Sequence, residues 1–389
     1  MAEHCTIPGP PSSAPRRVQC PGSSIMERML PETTESEAAM EGTAAHELAV
    51  PMIDAFTRGG LGWPKPEEVI GKPASNGVIW TPEMYQGAKM YAEECQSIMQ
   101  STGCFVPHVE QRVNIDRIYP GLFGTPDFWV FDKPKMTLHL PDFKFGHQTV
   151  DPFENYTLIE YTVGILDELG INGYDDQSVT IVLYIIQPRS YHRDGPVRRW
   201  EVKASDLRPL INMLEEVEHK AASGDGPCVV GPECLHCSAR RACETNQQAV
   251  YTVKDIIGQP IPTPLNNDDL AIELRMVQDL YDIVKARKTG LEAQAEETIQ
   301  QGGTVEGHAI EPGRGSKKWT VPAGEVFALG DLMGVELRKP EEPITPTQAV
   351  AAGIDVSVIK DYSKTYPGKM KLIRSDQTLA HAIFTKRMK

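Results

Sequence analysis

Residues 122–131 and 136–145 are two β-forming runs separated by the polar turn Asp132-Lys133-Pro134-Lys135, a pattern that predicts a hairpin. Within it stand Gly124-Thr125-Pro126-Asp127 and Pro141-Asp142-Phe143-Lys144, a G-x-x-D followed by a D-x-K. In an extended strand, residues i and i+2 share a face. Asp142 and Lys144 therefore point the same way, and Asp127 on the neighbouring strand can join them. Two carboxylates and an amine at one spot outline a site for metal-assisted phosphodiester hydrolysis. The acids hold Mg²⁺, and the lysine orients or deprotonates the attacking water.

The flanking pattern places this hairpin in an α/β core. Helices are expected over 36–56, with Pro51 a kink or break, and over 81–99, with a Gly/Pro-rich loop at 59–77 between them. A strand over 106–118 precedes the hairpin. A helix over 153–169 follows it, with Tyr156, Ile159, Val163 and Leu166 near one face. Residues 179–186 form a strongly apolar, central strand. A short strand over 198–203 and a helix over 207–222 complete the set. Helix, three strands, helix and strand in that order predict a mixed sheet flanked by helices. The domain reading is a flexible lead-in at 1–19, a core domain at 20–250, a linker at 251–267 and an accessory helical and α+β region at 268–389. That last region opens with a long amphipathic helix to residue 301.

The chain of 389 residues has the composition of a water-soluble globular protein. It contains no apolar run long enough to span a bilayer, and its Pro/Ser-rich start has no apolar h-region, so neither membrane nor export is expected. No G-x-x-x-x-G-K-[ST] is present, which excludes a P-loop motor. The net charge of −14 argues against indiscriminate nucleic-acid binding, although residues 301–389 carry 13 Lys and Arg against 10 Asp and Glu. Two basic stretches are candidate DNA contacts. Arg189, Arg193, Arg198 and Arg199 are interleaved with Tyr191 and Trp200, a pattern suited to tracking a strand. Arg314, Lys317, Lys318 and Trp319 make a similar patch.

Among eight cysteines, Cys234, Cys237 and Cys243 form a C-x2-C-x5-C cluster. In a chain without an export signal this spacing points to a metal or iron–sulfur site rather than disulfides. A fourth thiolate is needed. Spacing alone favours Cys228 and zinc; Cys20 is the distant candidate. Arg240 and Arg241 lie inside the cluster loop and are candidates for phosphate contact.

Taken together these motifs resemble the RecB-like branch of the PD-(D/E)xK nuclease superfamily, and within it a phage and prophage group related to CRISPR-associated iron–sulfur exonucleases. Gly42-Thr43-Ala44-Ala45-His46 matches that branch's helical histidine motif, and the G-x-x-D and D-x-K follow in order. A Q-x-x-x-Y helix motif is half-filled, with Tyr161 present and Thr157 where glutamine is usual. The likeness covers roughly residues 10–250. It implies a restriction-endonuclease-like core and one or two Mg²⁺ or Mn²⁺ ions held by Asp127, Asp142, the Phe143 carbonyl and His46. Lys144 and Tyr161 would join Asp127 and Asp142 as catalytic residues. Glu110, on the preceding strand, is a further candidate for the same site. The likeness also favours a [4Fe–4S] cluster on Cys20, Cys234, Cys237 and Cys243 over zinc. The expected activity is exonucleolytic hydrolysis of linear DNA in the cytoplasm, of a bacterial host if the chain is phage-encoded. A recombinase or single-strand-binding protein is an expected partner. A non-catalytic DNA-end-binding protein and a zinc-bearing structure-specific endonuclease are the competing readings.

Overall fold

A computed structural model describes residues 7–29, 36–57, 62–171, 178–256, 267–306 and 308. Helices α1 (Ala14–Gln19), α2 (Ser23–Arg28), α3 (Glu37–Thr57), α4 (Pro66–Val69) and α5 (Pro82–Thr102) come first. Strands β1 (His108–Val109), β2 (Val113–Asn114), β3 (Phe123–Gly124), β4 (Phe128–Asp132) and β5 (Thr137–Phe143) follow. Then come α6 (Tyr156–Glu168), β6 (Thr180–Ile186), β7 (Val197–Lys203), α7 (Arg208–Ser223), α8 (Glu244–Ile256) and α9 (Asn267–Gln300). Five strands form one sheet in the order β1-β4-β5-β6-β7, and β2 pairs with β3. Only β5 and β6 run parallel in the larger sheet, joined through α6; the other pairs are antiparallel. The protein is therefore a mixed α/β structure with a helix-flanked sheet.

The sheet separates two apolar cores, and β6 feeds both by alternation. Ile181, Leu183 and Ile185 join α6 and α7 on one face. Val182, Tyr184 and Ile186 join α3 and α5 on the other. A strand buried on both faces reads as a continuous apolar run, which is why this one was legible in the sequence. Helix α5 starts at an N-cap, Thr81 Oγ1 accepting the Met84 N–H at 3.1 Å, with Pro82 in its first turn. Helix α6 starts the same way at Asn155.

Several expectations need correction. The described part of the lead-in is built into the fold: residues 11–13 form a 3₁₀ turn and 14–19 form α1. Arg17 is 1 % exposed, and its Nε donates to Glu218 at 2.5 Å while its other nitrogens reach Glu160 and the Pro10 carbonyl. A buried cation with two carboxylates from α6 and α7 cannot belong to a free tail. The expected linker at 251–267 begins inside α8, which continues to Ile256. The expected strand over 106–118 divides into β1 and β2, and the hairpin's first arm divides into β3 and β4. Helix α3 runs through Pro51 without ending, and α4 lies within the expected loop. Residues 257–266, 307 and 309–389, which include the basic patch at 314–319 and the accessory region beyond α9, lie outside the described residues.

Candidate functional site

The hairpin delivers its acids as the sequence predicts. Asp142 lies near the end of β5, 5 % exposed at the side chain, and its Oδ2 is 2.8 Å from Lys144 Nζ. Its Oδ1 accepts a hydrogen bond from the same ammonium at 3.0 Å. Asp127 sits just before β4. One of its oxygens accepts the Phe143 N–H at 2.7 Å; the other lies 3.6 Å from His46 Nδ1. Glu110 Oε1 is also 3.6 Å from His46 Nδ1. His46 comes from α3 and hydrogen-bonds through Nε2 to the Phe143 carbonyl at 3.0 Å. Among the described residues, His46, Glu110 and Asp127 are the one group of three metal-ligating side chains whose ligand atoms lie within 4.8 Å of one another.

Glu110 carries a signal that periodicity does not register. Its φ is +46°, an uncommon value for a residue other than glycine, and its N–H donates to the Asp127 carbonyl at 3.1 Å. The turn after β1 aims the carboxylate at His46 instead of continuing a strand. Strained conformations of this kind cluster at functional sites.

The charges interlock. Burial pushes His46 down, but the carboxylates of Asp127 and Glu110 outweigh it and hold the imidazole at about 9. Burial pushes Asp142 up to about 6 against the pull of Lys144, with the Asp127 charge adding to the rise. Burial also raises Asp127, opposed by His46 and Lys144. Lys144 is drawn down by burial and carried above its ordinary value by Asp142 and Asp127, so it is an ammonium at neutral pH.

Tyr161 lies beside this group on α6. A Cβ at Gly124 would stand 2.4 Å from its ring and 2.7 Å from Pro11, so the glycine of G-x-x-D is needed for close packing. Thr157, in the position where glutamine is usual, donates to the Pro11 carbonyl at 3.0 Å. Both halves of that helix motif thus meet the N-terminal segment. Gln187 follows directly on β6. It is fully buried and ties a loop: Nε2 donates to the Gly146 and Gln148 carbonyls, and Oε1 accepts from Val150 N–H and from Arg198.

The candidate DNA-contacting arginines are mostly engaged within the fold. Arg189 pairs with Glu41 at 2.8 Å and Glu83 at 3.3 Å over the Phe145 ring. Arg198 is buried, and Arg241 is ion-paired with Glu297 on α9. Arg240 donates to the Cys237 carbonyl. Arg193 is exposed and meets only its neighbour Asp194 among the ion pairs described. Arg193 and Arg199 are the arginines of that stretch left exposed.

The cysteine motif closes as a second site. Cys20, Cys228, Cys234, Cys237 and Cys243 all line one cavity, and Cys228 stands beside Cys20 and Cys243. Cys20 Sγ accepts the Val229 N–H at 3.2 Å and Cys234 Sγ the Gly231 N–H at 3.4 Å. Burial and the neighbouring Cys20 push the Cys228 thiol up to about 11, and burial and Glu27 push Cys237 to about 12. Both fourth-ligand candidates therefore face the cavity.

The mixed α/β architecture and an acidic, histidine-bearing cluster define the protein to this point. Residues 9–349 match the family described as "Protein of unknown function (DUF2800)", and the chain belongs to that family. A crystal structure described as a "Putative exonuclease" from Eubacterium rectale aligns with a TM-score of 0.35 and 10 % identity, over 67 % of this chain and 91 % of that one. Similarity at that level does not define a shared fold.

Proposed function

We propose that the protein is a divalent-metal-dependent nuclease that hydrolyses phosphodiester bonds in DNA. The observation that carries this reading is the convergence of His46, Glu110 and Asp127 beside the Asp142–Lys144 pair. The donor set fits a hard or borderline divalent ion: carboxylate oxygens with one imidazole, a mixture that suits Mn²⁺ as well as Mg²⁺. Asp142, buried and ion-paired with Lys144, is a further carboxylate for the same ion. When bound, such an ion would polarise the scissile phosphate and offset its charge.

The chain's own residues would divide the remaining work. His46 presents Nδ1 to the acids because its Nε2–H is held by the Phe143 carbonyl, an outer contact that fixes ring orientation. Lys144, charged and partly exposed, would orient the attacking water and stabilise charge developing on the phosphate; its protonation argues against a role as base. Tyr161 is best read as a residue that packs Pro11 against Gly124 and so positions Asp127.

For the cysteine cavity we propose a [4Fe–4S] cluster on Cys20, Cys234, Cys237 and Cys243, with Cys228 as the spare thiol. The distant Cys20 lining the same cavity as the C-x2-C-x5-C thiols supports this ligand set. Exonucleolytic action on linear ends, and a recombinase or single-strand-binding partner, extend the same reading.

The test is cleavage of end-labelled linear and closed circular DNA, each with Mg²⁺ or Mn²⁺, using anaerobically purified protein. Metal-dependent loss of linear DNA that vanishes in Asp142→Ala and Lys144→Ala supports the proposal. Tight binding without cleavage by folded wild type would replace it with a DNA-end-binding role.

A further inference from the structure

The wall of the cysteine cavity holds more than thiols. Arg16 Nε, Gln19 Nε2, Ser23 Oγ and Arg240 Nε are buried there without a hydrogen-bond partner, and the buried Asn246 amide faces the Cys234 sulfur. Asn246 is 1 % exposed. These are not loose side chains. Gln19 Oε1 accepts the Glu233 N–H at 3.0 Å. The terminal nitrogens of Arg16 reach the His236 carbonyl at 3.2 Å and Glu27 at 2.9 Å. Arg240 Nη1 donates to the Cys237 carbonyl at 2.9 Å. Gln19, Arg16 and Arg240 are thus each anchored through one polar atom while another stays unpaired.

Buried donors are almost always satisfied in folded proteins, and several unpaired around one space call for an occupant that accepts. Most of these groups are N–H donors, two of them in guanidinium cations, while the Ser23 hydroxyl can donate or accept and Asn246 Oδ1 accepts. The occupant should therefore be anionic and rich in acceptor atoms. A lone metal ion has no acceptor atoms of its own. An iron–sulfur cluster brings inorganic sulfides as well as ligating thiolates, and both accept N–H hydrogen bonds.

We infer that Arg16, Gln19, Ser23, Arg240 and Asn246 form a donor shell around the cluster's sulfurs, and that this shell raises the cluster's reduction potential. The inference rests on the iron–sulfur reading of the cavity. On reduction, one electron enters the cluster from an external one-electron reductant; no bond breaks and no proton moves. The reduced cluster is more negative, so N–H···S bonds and nearby guanidinium charge stabilise it more than the oxidised one. The site is then a redox-responsive centre as well as a clamp.

The experiment compares full-length wild type with Asn246→Leu and Arg240→Met, all purified anaerobically. Iron, zinc and acid-labile sulfide are measured first. A wild type with zinc and no sulfide overturns both the cluster and the donor shell. With iron and sulfide present, the midpoint potential is titrated with dithionite and mediators. Both variants should shift to lower potential; an unchanged midpoint overturns the donor shell and leaves the cluster standing. Should either variant fail to fold, wild type alone decides. Its Fe–S stretching bands in resonance Raman spectra should move on exchange into D₂O, and bands that stay in place overturn the donor shell.

Discussion

One carboxylate oxygen of Asp127 accepts the backbone N–H of Phe143 at 2.7 Å, which ties the G-x-x-D turn to the D-x-K strand. The Phe143 carbonyl in turn holds His46 at 3.0 Å. One peptide unit therefore fixes the acid and the imidazole. Asp127→Asn should retain the fold, because its amide oxygen can still accept this N–H, yet abolish metal-dependent cleavage. Asp127→Ala should also lose about 1–3 kcal/mol of stability by leaving the buried N–H unpaired. Urea titration of both variants separates the two effects.

The elevated His46 value predicts a pH-dependent metal affinity. An imidazole raised from 6.5 to about 9 stabilises the metal-free fold fully below pH 6.5 and loses that contribution as the pH climbs through 9. A divalent ion needs the neutral ring and must displace its proton. Mn²⁺ affinity should therefore rise by up to tenfold per pH unit between 6.5 and 8.5, with proton release detectable by calorimetry in buffers of different ionisation enthalpy. Asp142, held at about 6, should steepen the loss of binding at lower pH. A pH-independent affinity would remove His46 from the ligand set.

Glu110 offers a test of strain at a working site. Its φ of +46° suits glycine, so Glu110→Gly should fold normally. Loss of the carboxylate beside His46 should weaken Mn²⁺ binding by roughly tenfold or more, as changes around metal ligands commonly do. Calorimetric titration reads this directly. Unchanged affinity would make Glu110 a bystander.

Gly124→Ala places a methyl group 2.4 Å from the Tyr161 ring and 2.7 Å from Pro11. Overpacking of this kind costs about 1–3 kcal/mol. Cleavage should fall as well, because the turn carrying Asp127 must shift. A normal melting temperature with normal activity would show that the turn tolerates the extra group.

Arg17→Met should lower stability by about 3–5 kcal/mol, since it leaves the buried carboxylates of Glu160 and Glu218 without their cation. Deleting residues 1–19 should do at least as much. If the truncated protein melts like the intact one, α1 contributes nothing to the core.

Asp127, Asp142, Lys144 and His46 could be read from the chain because motif order and strand alternation locate them without any knowledge of tertiary contacts. The two-sided core strand was legible as a continuous apolar run. Arg17 was not, because its carboxylate partners lie more than a hundred residues away and nothing in Pro15-Arg16-Arg17-Val18 announces a buried charge. Glu110 was a candidate through its place on the strand before the hairpin; a backbone turn, not the strand, brings it to His46. Arg189 and Arg241 erred in the opposite direction. They look like free positive charge in sequence, but acids from α3, α5 and α9 meet them in space.

Cys20 shares its cavity with Cys243, which sets an order of events during synthesis. The first thiol leaves the ribosome more than two hundred residues before the last. At about 5–20 residues per second, it waits on the order of ten seconds or more with no complete site to enter. During that interval α1 also lacks Glu160 and Glu218, so the N-terminal segment cannot settle early. Oxidants and stray metal ions thus have their best access to Cys20 on the nascent chain, and slowed translation between residues 20 and 243 should lower the yield of correctly assembled protein.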